Sequence, residues 1–331
     1  MGGNLVYRYI LKRLLLMIPV LIGVSFLVYF ILDLAPGDAV DVLAPDDATL
    51  EEKAQMREEL GLNRSIFIRY GEYMIDMLHG DLGVSYLTNQ DVFATFMEKV
   101  PNTLKLGFAS LLVSVGLSLP LGIYSARRRG TWKDNVSMVL ALLGLSMPNF
   151  WLGLLLMILF SLKLGWLPSG GADGFASIIL PAVTVGTGMM ATLTRTTRSS
   201  MLDVIRQDYL RTARSKGLPE KVVINKHALK NALIPIITII GTQMGTILGG
   251  AVLTETVFSW PGVGRLIIDS LNSRDTPQVT GSIILTTMFF SLVLLLVDLL
   301  YAMVDPRIKA QYATKKGGKQ HDHHKTQKAA A

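Results

Sequence analysis

The side chains able to do chemistry in this sequence concentrate between Arg206 and Pro235, in RQDYLRTARSKGLPEKVVINKHALKNALIP. Between Arg195 and Lys230, nine Lys or Arg stand against three acids (Asp203, Asp208, Glu220), inside an otherwise apolar half of the chain. A basic, water-facing segment lodged between apolar spans belongs on the cytoplasmic side of a membrane. The spacing reads helix, break, helix. Tyr209, Leu210 and Ala213 share a face at three- and four-residue intervals. Gly217 is placed to end that helix in the left-handed conformation, and Pro219 to open a second one. Val222, Val223 and Leu229 supply an apolar side, and Pro235 leads back into the membrane. A short, bent, exposed helix pair has the form of something gripped by a partner.

Elsewhere the reactive inventory is thin. No GxxxxGK[ST] phosphate loop occurs, so the chain is not expected to hydrolyse nucleotide itself. Gly186-x-Gly188 falls inside an apolar run with no βαβ context. His321, His323 and His324 cluster in a Lys-rich tail, where a solvated segment is preferred over a metal site. With no cysteine, disulfides and thiolate metal sites are excluded. Asp298 is the clear ionisable residue within an apolar run, and it can cap, snorkel or pair with a neighbouring helix. Pro148, within Ser146-Met147-Pro148-Asn149, frees a backbone carbonyl at mid-span, which reads as a pathway-lining kink or as a packing kink. Gly241, Gly245 and Gly249 form a GxxxGxxxG stripe that lets another helix approach closely, with Thr242, Gln243 and Thr246 on neighbouring faces. Pro148, Asn149 and Gln243 are the candidate pathway residues.

The elements that would position these residues follow from composition. Half of the 331 residues are hydrophobic and 17% are charged, which points to an all-α polytopic membrane protein. The net charge of +7 does not argue for nucleic acid, because the bases gather in short loops at membrane ends. Six spans are expected: Leu14–Leu32, retained and not cleaved as a signal peptide, Asn102–Tyr124, Val136–Phe160, Ile178–Leu193, Leu233–Leu253 and Gly281–Val304. With both termini cytoplasmic, 23 Lys and Arg fall on cytoplasmic segments against 9 elsewhere, while 18 acids fall outside against 6 inside. The organisation is then a cytoplasmic N-terminus and first span over 1–34, an extracytoplasmic helical excursion over 35–97, a permease domain over 98–304 carrying a cytoplasmic loop at 199–232, and a basic cytoplasmic tail over 305–331. The excursion is acid-rich. Thr49-x-x-Glu52 predicts a capped helix over 50–60 ending at Gly61, and Ile66 to Leu78 a second, closed by Gly80. Its preferred role is a scaffold at the outer mouth, with partner docking as the alternative. Glu255 to Val279 is expected as the last outer loop.

Several stretches in order carry a resemblance. PGDAV follows the first span, GDLGVSY stands at 80–86, ETVFSWPGVGRLIIDSLNSRD at 255–275 and DLLYAMVDPRIK at 298–309. Together with DYLRTARSKG, they resemble permease subunits of the dipeptide/oligopeptide/nickel family of binding-protein-dependent ABC importers, over nearly the whole chain apart from the tail. The basic loop is similar to that family's version of the "EAA" coupling loop. Arg211-Thr212-Ala213 stands where the broader consensus has EAA, Gly217 keeps the glycine, and the usual Leu-Pro falls at Leu229-Lys230.

The resemblance implies a type I ABC importer transmembrane fold and a transport subunit that is not an enzyme. It also implies that Tyr209, Arg211, Thr212, Ala213, Arg214, Lys216 and Gly217 couple to one of two cytoplasmic ABC ATPases. Small Ala213 and Gly217 would permit close approach, and Arg211, Arg214 and Lys216 would meet the partner's acids. The remaining implied partners are a homologous second permease, an extracytoplasmic substrate-binding protein and the lipid bilayer. No cofactor is expected on this chain, with ATP and magnesium held by the ATPases. Peptides are the expected substrate, with nickel chelates or glutathione as alternatives. A stand-alone secondary carrier would call for a charge relay or paired broken helices at the midplane. A membrane-embedded enzyme would call for a metal cluster or a nucleophile–base pair within the spans, where no histidine occurs.

Overall fold

Apolar runs too long to be hydrated leave the backbone one way to satisfy its polar groups, and the chain is accordingly almost all helix. The computed structural model describes residues 3–304, apart from the side chains of 3–6, 8, 145, 244–250 and 300–304. The tail, with His321, His323 and His324, lies outside the described residues. In chain order the helices are α1 (Gly3–Leu34), α2 (Ala39–Leu43), α3 (Leu50–Glu59), α4 (Ile66–Leu78), α5 (Val92–Arg127), α6 (Trp132–Ser146), α7 (Asn149–Leu156), α8 (Ile179–Ile205), α9 (Asp208–Ser215), α10 (Glu220–Val222), α11 (Leu229–Gly250), α12 (Val252–Val257), α13 (Val263–Asn272) and α14 (Thr276–Val304). A π-helical stretch over Val223–Ala228 joins α10 to α11 without a break, and another extends α7 through Lys163.

Among the described residues, five helical segments are long and apolar enough to cross a membrane: Tyr9–Leu34, Val92–Arg127, Phe175–Ile205, Glu220–Gln243 and Thr276–Leu299. The expected third span departs from its simple form. Instead of one kinked helix it is two, Trp132–Gly144 and Asn149–Lys163, meeting at 98°, and it makes a sixth crossing only as a broken one. Pro148 opens α7 as its N-cap, because a proline cannot supply the backbone N–H that would carry α6 onward. Prolines elsewhere do not break their helices: Pro19, Pro101, Pro120 and Pro235 all lie inside. The helix from α10 to α11 continues through Pro235.

One boundary moves because of capping, and one expected loop proves helical. Asp91 accepts the Ala94 N–H at 2.7 Å, so α5 starts ten residues before the expected Asn102 and runs for 36 residues. That is about 54 Å, well beyond the roughly 30 Å of a hydrocarbon core. The expected last outer loop is likewise structured, holding α12 and α13. The helices of the acid-rich excursion form as the sequence predicts. Thr49 and Glu52 make a reciprocal capping box on α3, and Gly61 and Gly80 take φ of +66° and +88° at the two ends.

The core is organised around α8, which packs against α5, α6, α7 and α11. The closest seam is α5 on α8. Ser110, Ser114 and Ser118 on α5 are fully buried there, as are Thr194 and Thr197 on α8. A Cβ on Gly122 would lie 2.5 Å from Thr197 Cβ, and one on Gly186 would lie 2.8 Å from the Ser110 carbonyl. Small residues thus bring the two backbones together, which is how helices associate in lipid. The sequence reading placed that role on Gly241, Gly245 and Gly249. Gly241 is buried on α11, while the surroundings of Gly245 and Gly249 lie outside the described residues.

Gly122→Leu is expected to force α5 off α8 at a cost of about 1–3 kcal/mol. A melting curve of the purified subunit in mild detergent checks this; an unchanged midpoint would show that the seam can open without loss.

Candidate functional site

At the basic end of the bundle, α8 stops at Ile205 and α9 begins at Asp208. Leu210 and Ala213 turn inward and are buried with Met201, Val223, Ile224 and Ala228. Ala213 therefore serves this chain's own packing, holding α9 close to the π-helical stretch, and is not at the outer surface. Gly217 takes φ of +73°, with open space where a Cβ would stand. The chain reverses there, and Pro219 is the N-cap of α10, one position earlier than expected. Two contacts brace the reversal. Arg214 donates both Nε and Nη2 to Glu220, at 3.1 and 3.0 Å, and Asn231 Nδ2 donates to the Tyr209 hydroxyl at 2.8 Å. The Arg214 guanidinium is thus engaged within the loop. Tyr209, Arg211, Thr212, Lys216 and Gly217 form the exposed rim, with Arg211 only 3.8 Å from the equally exposed Asp208.

At the acid-rich end, the stretches singled out by sequence are tied to one another. Asp38 of PGD caps α2 and accepts Arg57 Nε of α3 at 2.6 Å, with Asp41 accepting Nη2 at 3.0 Å. Ser85 of GDLGVSY donates its hydroxyl to Asp275 at 2.5 Å, and the Tyr86 N–H donates to the same carboxylate at 3.2 Å. Glu255 is fully buried. It accepts the Thr103 hydroxyl at 2.7 Å, the Gly264 N–H at 2.7 Å and the Arg265 N–H at 3.2 Å. That carboxylate pins the start of α13 to α5. Sequence reasoning passed over Glu255 and Asp275 as loop acids. The available signal was Gly262-x-Gly264: a Cβ at either position would strike the Glu255 carboxylate.

The pathway candidates lie on separate elements. Pro148 is exposed at the α6–α7 break, Asn149 places its side chain against Gly188 of α8, and Gln243 is half-buried on α11. Both α7 and α11 pack on α8. Asp298 resolves as an inter-helix partner. It accepts the Tyr9 hydroxyl at 2.7 Å and Arg13 Nη2 at 2.8 Å, which ties α14 to α1.

Apolar spans, a basic exposed helix reversal at one end and an acid-bonded helical cap at the other define a membrane permease subunit. The chain belongs to the family of binding-protein-dependent transport system inner membrane components, which matches residues 118–310, with the N-terminal component of the same system matching 6–107. It is a multi-pass inner-membrane transport subunit of an ABC importer, and not an enzyme. Dipeptide transport system permease protein DppB of Alkalihalophilus pseudofirmus is 41% identical over 329 residues, covering 91% of this chain and 99% of its own. Glutathione transport system permease protein GsiC of Salmonella choleraesuis is 42% identical over 302 residues, with the same coverage. The Escherichia coli DppB is 40% identical over 334 residues, covering 91% of this chain and 98% of its own. In fold, the chain is similar to an inward-facing MetNI methionine ABC transporter structure, with a TM-score of 0.54 and 17% identity over 64% of this chain and 96% of that one.

Burial raises the Glu255 carboxyl above its ordinary value of 4.5, against the pull of its three donors. Its ionised form is then costly above the raised value, and stability is recovered as pH falls through that value toward 4.5. Relative to Glu255→Gln, the protein is expected to melt progressively higher as pH is lowered from neutrality. Parallel pH curves for the two would show that the carboxylate is as well solvated folded as unfolded. Glu255→Ala, which strands Thr103 and two N–H groups, is expected to cost about 1–3 kcal/mol in the same assay.

Proposed function

We propose that this chain forms half of the translocation pathway for short peptides, delivered by an extracytoplasmic binding protein and driven by two cytoplasmic ATPases. A homologous second permease supplies the other half. The observation that carries this reading is the exposed rim of α9 and its turn, Tyr209, Arg211, Thr212, Lys216 and Gly217, standing out from a buried, braced base. With Leu210 and Ala213 locked inward, force on the rim is passed to the spans as rigid-body motion and not absorbed locally. In this reading 199–232 is the coupling loop of a permease domain over 98–304, residues 35–97 are extracytoplasmic, both termini are cytoplasmic, and ATP with magnesium sits on the partners. Arg211 and Lys216 remain the cations directed at a partner, since Arg214 is held by Glu220.

Relatives named for dipeptide and for glutathione support a peptide-bonded substrate, because glutathione is itself a tripeptide. Glutathione is thus the second reading within the same importer class. Pro148, Asn149 and Gln243 are proposed to line the path.

A pulldown of the tagged subunit in mild detergent is expected to recover a second permease with one or two ATPases. Gly217→Glu, whose side chain projects into open space at the rim, is expected to lose the ATPases while remaining in the membrane. A stable homo-oligomer without an ATPase would overturn the reading. Bulky replacement of Pro148, Asn149 and Gln243 together is expected to cut uptake of a labelled dipeptide. Uptake and substrate range equal to the parent would remove these three from the path.

A further inference from the structure

Asp134 lies in the first turn of α6 with its side chain only 3% exposed, and both of its oxygens are filled. Arg198 of α8 donates Nε to Oδ1 at 2.8 Å and Nη2 to Oδ2 at 2.7 Å. The Ser125 hydroxyl near the end of α5 donates to Oδ1, and the Gly130 N–H donates to Oδ2 at 3.1 Å. Arg127, Arg128, Arg129 and Lys133 are close in sequence, yet the forked partner comes from α8. A two-point guanidinium–carboxylate contact fixes rotation as well as distance. Buried this far, it cannot be remade in another register without stranding a charge.

The placement gives the pair its meaning. Arg198 stands two turns before the end of α8, and only two residues separate that end from α9. From the other side, α6 leads from Asp134 to the 98° break, beyond which α7 packs Gly153 against Phe258. A continuous set of contacts therefore runs from the basic helix reversal, through α8 and α6, to the segment that joins α12 to α13. We propose that Asp134 and Arg198 are positioning residues that clamp α6 to α8, so that movement of α9 is carried to the α6–α7 break and on to α7. This rests on the reading of α9 as the ATPase-docking helix. The clamp touches no substrate. A pair that only held the fold together would lower assembly and every motion alike, whereas a clamp separates movement at α7 from nucleotide turnover.

The test uses the whole importer, co-purified with its partners and returned to lipid. The chain has no cysteine, so Leu155→Cys, at an exposed position on α7, gives one labelling site in this subunit. With this variant as the parent, trapping ATP on the ATPases with vanadate is expected to change the maleimide labelling rate by about fivefold or more. With Asp134→Asn added, trapped nucleotide is expected to stay equal to the parent while the labelling response shrinks to less than about twofold. An equal response in both overturns the clamp. A silent parent overturns it too; there, retention of the ATPases by Gly217→Glu would trace the failure to the docking reading, and their loss would confine it to the clamp. Where Asp134→Asn fails to assemble, Arg198→Lys keeps the charge but loses the fork, and an undiminished response in that variant overturns the proposal.

Discussion

The close approach of α5 and α8 is the constraint on which the rest of this structure depends. In lipid, apolar side chains gain little by leaving one hydrocarbon surface for another, so helices hold together where backbones can touch. Serines, threonines and two glycines supply that closeness along the seam, with Ser118 donating across it to the Met190 carbonyl at 3.2 Å. Because α6, α7 and α11 also pack on α8, it is the common contact of the bundle.

The two ends of the bundle are built by different physics. At the basic end a small apolar cluster around Leu210, Ala213, Val223 and Ile224 seats a short helix, and the charges mostly face out. At the acid-rich end, carboxylates turn inward to do structural work. Asp38 gathers Arg57, Asp275 gathers the 85–86 backbone and hydroxyl, and Glu255 gathers Thr103 and the start of α13. Buried carboxylates such as Asp275 and Glu255 are tolerable only when their lone pairs are filled, and each has several donors, while Asp38 stays partly exposed. Such contacts differ in kind from apolar packing. They are directional and break as units, giving discrete states where an oily interface would give a continuum.

The α6–α7 break makes the same point inside the bundle. A sharp bend at Met147–Pro148 places α7 against α8 and brings Gly153 up to Phe258, so the segment joining α12 to α13 rests partly on α7. Asp298, with Tyr9 and Arg13, joins the last helix to the first.

Much of this was legible in the residues. Hydropathy runs located the spans, since crossing a bilayer imposes length and apolarity on any sequence. Thr49 with Glu52, Gly61, Gly80 and Gly217 marked helix ends correctly, because capping is decided within four residues. What the residues could not state was partnership. Which glycines meet a backbone, and that Glu255, Asp275 and Asp134 are buried, depend on groups far away in the chain, and even the capture of Arg214 by Glu220, six residues on, needs the turn between them to be folded. Hydropathy reads an acid as solvent-facing by default, and only the packed structure supplies the distant donors that make its burial affordable.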